Sequence, residues 1–221
     1  MNLSEQTISV LKNFATINQN LVIKKGKTLM TMSSMKNIIA KANIEENFPK
    51  EVAIYDLNEF LASLSLFKSP TLDFQDQYLT MNEGSNKIKY FYSDPSVVQS
   101  PSKMLTMPNP EVKFTINSSD LSKMKRAAGV INAPDMVLEK NGSGTFLTAK
   151  NAKNDTANTY STDIEVDSEG TYKFYFKVEN LKLMDGSYDV AISSKNISHF
   201  KNKSSDVEYW IALEPESTYS V

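Results

Sequence analysis

Apolar positions switch between a helical and a strand-like rhythm twice along the chain, and the two passes have the same order. In "LSEQTISVLKNFATIN" (3–18), Leu3, Thr7, Val10, Leu11, Phe14 and Ile17 recur at three- and four-residue spacing, which places them on one stripe of a helix. Ser4 stands where a cap is needed, and Glu5 falls in the first turn. Short runs follow: "NLVIK" (20–24), "TLMTMSS" (28–34) after the turn at Gly26, and "NIIAKANI" (37–44). Their length and β-branched content predict strands. "EVAIYDLNEFLASLSLF" (51–67) passes from strand to helix. Asp56 and Glu59 sit at capping-box spacing there, and Leu57, Phe60, Leu61, Leu64 and Phe67 form the stripe. "TLDFQ", "QYLTM" and "KIKYFYS" (87–93), the last preceded by the turn signal "NEGSN", complete this pass as strands.

The second pass opens with the strand "VKFTI" (112–116) and the helix "SSDLSKMKRAAG" (118–129). It continues through "DMVLEK", "TFLTA", "TYSTDIEV" (159–166) and "TYKFYFK" (171–177) to a short predicted helix, "VENLKLM" (178–184). The strands "SYDVAIS", "ISHF" and "VEYWIAL" follow. The order repeats at an offset of roughly 115 to 120 residues, well beyond the 20 to 50 residues of solenoid repeats, so a duplicated domain explains it better. Between the passes, four of the eight prolines (Pro95, Pro101, Pro108, Pro110) remove the amide donors that a helix interior or ladder needs. The pattern therefore predicts an α+β protein with domains at 1–93 and 112–221, joined by an extended linker at 94–111.

With 221 residues, the chain is long enough for two such cores. No window approaches the roughly 18 apolar residues of a membrane span, and the N-terminus lacks the pattern of a signal peptide, so the chain reads as cytoplasmic. Cysteine is absent, which excludes disulfides, thiolate nucleophiles and Cys-ligated zinc. His199 is the one histidine, so a triad would have to be built on it, and its place in "ISHFKN" is that of a residue on a sheet surface. "NGSG" (141–144) lacks the spacing of a phosphate-binding loop and reads as a turn. Nothing in the pattern selects a catalytic pair of carboxylates from the many acids. No metal site and no cofactor are expected.

Charge sharpens the picture. The formal net charge is -2, yet residues 1–105 carry 11 cations against 10 acids, and residues 106–221 carry 13 against 16. The one arginine, Arg126, lies in the helix at 118–129. Leu121, Met124 and Ala128 share one side of that helix, and Ser119, Ser122, Lys123 and Arg126 share another. The first helix turns Ser9, Lys12, Asn13 and Thr16 outward. The second exposes the nearly uncharged Asn58, Ala62, Ser63 and Ser65, and the fourth would expose Lys177 and Lys182. Acids collect in "TDIEVDSEG" and "EPES" instead. Lysines on exposed helices serve solubility in most proteins. Taken together, though, these helices form a local positive surface that can attract a polyanion despite the negative total. Base-edge readout has little to work with, since the chain has no dense arginine cluster and no zinc-finger or RNP-type motif. A β-rich structural protein without catalysis fits the strand count but gives no reason for cationic helices, and a hydrolase has only His199.

"LKNFATIN" (11–18), "VAIYDLNEFL" (52–61), "SDPSVV" (93–98) followed by Pro101, and "ALEPEST" (212–218), in this order and at these separations, resemble the DNA polymerase sliding clamps of T-even-type bacteriophages. The resemblance runs from the first helix to the tail and thins between about 135 and 170. It implies a non-enzymatic processivity factor for viral DNA replication: a homotrimeric ring of two similar clamp domains per subunit, with antiparallel sheets outside and helices lining the hole. Expected partners are duplex DNA without sequence specificity, DNA polymerase, the clamp-loader ATPase and late-transcription factors. The expected location is the cytoplasm of the infected bacterial host. Carried onto this sequence, Lys12, Lys123, Lys125, Arg126, Lys177 and Lys182 would face DNA, with Lys125 lying off the Lys123/Arg126 face. Subunits would join through Lys87, Ile88, Tyr90 and Phe91 of one copy and Tyr160 and Ile164 of the next. Partner peptides would dock near Val130, Ile131, Ile211, Leu213 and Pro215, which also read as simple core.

Overall fold

A computed structural model describes residues 1–101 and 105–221. The chain forms two compact units, Met1–Met104 and Leu105–Val221. Residues 102–104 of the expected linker lie outside the described residues.

The first unit runs α1 (Glu5–Ile17), β1 (Leu21–Ile23), β2 (Gly26–Met32), β3 (Ile38–Phe48), β4 (Val52–Ile54), α2 (Leu57–Ser65), β5 (Thr71–Phe74), β6 (Tyr78–Glu83) and β7 (Asn86–Phe91). β1 pairs with β4, β2 with β3, and β5, β6 and β7 form a meander, all antiparallel. α1 begins where the sequence calls for it, because the Ser4 hydroxyl accepts the Thr7 amide at 3.2 Å. Glu46 of β3 fastens that end. Its carboxylate accepts from the Ser4 amide and, at 2.5 Å, from the Thr7 hydroxyl. Burial pushes the Glu46 carboxyl up, but the hydrogen bonds from Thr7 and Ser4 outweigh it and hold the group below its ordinary range.

The α1 stripe is buried at Thr7, Val10, Leu11, Phe14 and Ile17, and Leu57, Phe60 and Leu64 of α2 join the same core. Each large apolar side chain removed from water there contributes about 1.5–3 kcal/mol. Asp56 caps α2 by accepting from the amides of Asn58 and Glu59. After β7, a single 3-10 turn at Pro95–Val97 is capped by Asp94, and Val98 packs with Val22 and Ala53. The proline-rich segment therefore starts tied to the first unit.

The second unit runs β8 (Val112–Ile116), α3 (Ser118–Val130), β9 (Asp135–Asn141), β10 (Gly144–Lys150), β11 (Tyr160–Asp163), β12 (Thr171–Lys177), β13 (Tyr188–Ser193), β14 (Ile197–Asn202), β15 (Val207–Ala212) and β16 (Thr218–Ser220). β8, β13, β14 and β15 lie side by side in that order, and a second sheet has the order β11-β10-β9-β12-β16. α3 packs on β10 and β11. Gly170 (φ 75°) lets β12 and β16 close on each other, since a Cβ there would collide with the Ser220 carbonyl oxygen.

One expected element is absent. "VENLKLM" makes a single 3-10 turn, Val178–Asn180, rather than a helix. Leu181 and Leu183 are both buried with Lys182 half-buried between them, a two-residue alternation that a helix cannot supply. A seven-residue helix is also too short to hold itself together without a packed stripe.

Candidate nucleic-acid interface

α3 carries the cationic surface on a well-defined frame. Asn117 caps it, its side-chain oxygen accepting the Asp120 amide at 2.8 Å while its amide nitrogen donates to the Asp120 carboxylate at 2.8 Å. Leu121, Met124 and Ala128 are buried, so the opposite face, with Lys123 and Arg126, is turned to solvent. Lys123 lies 3.8 Å from Asp120 with both side chains largely exposed, a contact too weak and too screened to neutralise it. Arg126 makes no ion pair among the described residues. Lys125 sits off that face, half-buried, and its ammonium donates to the Leu183 carbonyl at 3.4 Å. Burial lowers its pKa, opposed by the Asp185 charge.

In the first unit, Lys12 is exposed on α1 and likewise makes no ion pair among the described residues. Lys68, just past the end of α2, borders the same groove as Lys12, over Leu3, Ile8, Leu61 and Phe67. Sequence reasoning passed over Lys68 because it lies beyond the helix and belongs to no stripe.

Two expected DNA-facing residues are placed differently. Lys177 ends β12, and only a single 3-10 turn follows it instead of the helix expected to project it. Its ammonium lies 2.5 Å from the carboxylate of Asp135, which is only 2% exposed, and 3.9 Å from Glu214. It is the counter-ion of a buried acid. Lys182 is half-buried in the segment after the turn, without a helix to project it.

The expected interface residues fall on two sheet edges. β7, with Lys87, Ile88, Tyr90 and Phe91, is the outer strand of its meander, and β11, with Tyr160, ends its sheet. Ile164 follows β11 and still bonds through its amide to the Thr145 carbonyl. The expected peptide-docking residues differ in exposure. Ile211 is fully buried and Leu213 5% exposed, because Val207, Tyr209 and Ile211 alternate onto the core face of β15. Val130 and Pro215 are exposed, and Ile131 is half-buried. His199 is a sheet-surface residue, paired to Glu208 at 2.9 Å and stacked on Trp210.

Each unit matches a family model. The model described as DNA polymerase processivity factor covers residues 4–99, and that described as gp45 sliding clamp, C terminal, covers residues 113–215. The sliding clamp of Vibrio phage KVP40 is 34% identical over 221 residues, 97% of this chain and 99% of that one. The chain belongs to the phage sliding-clamp family. The sliding clamp of Enterobacteria phage T4 is 30% identical over 226 residues and 99% of both chains. Among solved structures, PCNA of A. fulgidus, bound to the C-terminal region of FEN-1, superposes with a TM-score of 0.74 at 17% identity, over 99% of this chain and all of that one. PCNA of Thermococcus kodakaraensis gives 0.71 at 14%, over 97% and 99%. These likenesses bear out the expected α+β clamp fold. The chain is a sliding clamp of phage DNA replication, a polymerase processivity factor and not an enzyme. Among the described residues, no helix is long and apolar enough to cross a membrane.

Proposed function

We propose that three copies of this chain close into a ring around duplex DNA, with α1 and α3 toward the DNA and the sheets outside. The observation that carries this reading is the division of α3, with Leu121, Met124 and Ala128 buried and Lys123 and Arg126 facing solvent. The first unit presents exposed cations of its own, Lys12 and Lys68. A clamp must stay on DNA without stopping at any sequence, which calls for a few mobile contacts to phosphate and none to base edges. Lysine suits that task better than arginine, whose rigid fork favours fixed bidentate pairing. One arginine among 24 basic residues is in keeping with it.

Subunits would join through β7 of one copy and β11 of the next, which also covers two open sheet edges. Lys177 is committed to Asp135 and is not part of the proposed bore. Polymerase, a loader ATPase and late-transcription factors would reach the ring through short apolar segments, for which Val130 and Pro215 are the exposed contacts. The work would take place in the cytoplasm of the infected host, by a chain of two domains, 1–93 and 112–221, linked at 94–111.

The test loads the protein with its cognate loader and ATP onto circular DNA and then linearises the circle. A ring runs off the cut ends and stays on the intact circle. Reversing Lys12, Lys123 and Arg126 to glutamate weakens loading about tenfold or more and flattens its salt dependence. Equal persistence on cut and uncut DNA overturns the reading.

A further inference from the structure

β7 and the segment from β11 onward share one pattern. Along β7, Lys87, Lys89 and Phe91 are exposed while Ile88 and Tyr90 are half-buried. Tyr90 meets Phe60 of α2 edge-on at 5.3 Å, so the Ile88/Tyr90 face lies on the helix side and the lysines lie on the opposite face. In the second unit, exposure alternates in the same way from Ser161 to Asp167. Asp163, Glu165 and Asp167 are exposed, and Thr162, Ile164 and Val166 are half-buried. Thr162 and Tyr160 pair with Leu147 and Ala149, both buried, while α3 packs on β10 and β11, so this apolar face is again the helix side.

None of Lys87, Lys89, Asp163, Glu165 and Asp167 makes an ion pair among the described residues. Lys89 instead rests over the rings of Tyr78 and Phe91. One edge is thus cationic above and apolar below, and the other is anionic above and apolar below.

We propose that these two edges are an electrostatically keyed, head-to-tail joint between copies of this chain, with Lys87 and Lys89 of one copy set against Asp163 and Glu165 of the next. Ile88 and Tyr90 meet Tyr160 and Ile164 beneath them. The proposal rests on the ring reading and adds to it what fixes the direction of the joint and what opens it. Two β7 edges laid together would set lysines against lysines, and two β11 edges would set carboxylates against carboxylates. Like charges directly opposed on a sheet are destabilising. Self-pairing of either edge is therefore disfavoured, and only the unlike pairing, which propagates from copy to copy, remains. Charges above the sheet stay in reach of solvent ions, so the joint loosens as salt rises.

Sedimentation of the full-length chain at low and high salt tests this, with K87E/K89E, D163K/E165K and the variant carrying all four changes. Wild type is expected to self-associate and to dissociate more readily at high salt. Each double variant is expected to associate about tenfold or more weakly, and the fourfold swap to recover association because every joint is again unlike. Circular dichroism confirms that each variant is folded, and the recovery in the fourfold swap separates lost pairing from lost folding. A wild type that remains monomeric at all concentrations overturns the ring reading together with this inference. A wild type that associates while both double variants associate equally well, or a fourfold swap that stays monomeric, overturns the charge pairing alone and leaves the ring.

Discussion

Lys177 shows how one side chain changes meaning when its partner is known. By sequence it is an exposed cation where a predicted strand meets the fourth predicted helix; in the fold it neutralises Asp135, 42 residues away, and Asp135 also accepts the Ala152 amide at 2.9 Å. No local pattern carries that information, because the pairing of β12 with β9 creates it. The hydrogen bond to Asp135 is the main cause that raises the Lys177 pKa, with Glu214 and Glu216 adding to it and burial opposing. A lysine whose pKa is raised on folding stabilises fully below its unfolded value of about 10.4, and that contribution is lost as pH rises through the folded value.

Lys177→Met leaves a buried carboxylate without its cation and is expected to cost about 3 kcal/mol in urea unfolding near neutral pH. The loss should shrink toward strongly alkaline pH, where the wild-type lysine also discharges. Asp135→Asn combined with Lys177→Met should recover most of it, since removing both members leaves no unpaired charge. By contrast, the α3 pair Lys123 and Arg126 was readable in the sequence, because their neighbours at helical spacing fix which way they face.

The helices divide along the same line. α1, α2 and α3 appear where stripe and cap coincide, at Ser4, Asp56 and the Asn117 turn. "VENLKLM" had a helical composition but no stripe and no cap, and the alternation of Leu181 and Leu183 decided against it. β16 escaped notice because only its pairing with β12, some 47 residues earlier, makes Thr218–Ser220 a strand. Sheet edges are hidden for the same reason, since a sequence shows strands but not which of them lacks a neighbour.

The α3 cap makes a specific forecast. Asn117→Ala is expected to lower stability by about 1 kcal/mol in chemical unfolding, and Asn117→Ser to keep most of it. Asn117→Asp should fall between them, because a carboxylate there meets Asp120, which now accepts from the Asn117 amide.

Across the molecule, the repeated order of elements was visible in the pattern of apolar positions, and each unit builds its own core from it. What the pattern could not supply was the division of labour among cations, some aimed outward and others spent on buried acids. The units also differ in one optical respect. Trp210, the single tryptophan of the chain, lies 5% exposed on β15 with the His199 ring stacked 4.8 Å away. Intrinsic indole emission is therefore a label built into one half of the protein. When the second unit melts, that emission should shift to the red, at a denaturant midpoint that Asn117→Ala lowers, whereas ellipticity sums over both halves. A spectrometer can thus follow the second unit without any dye attached.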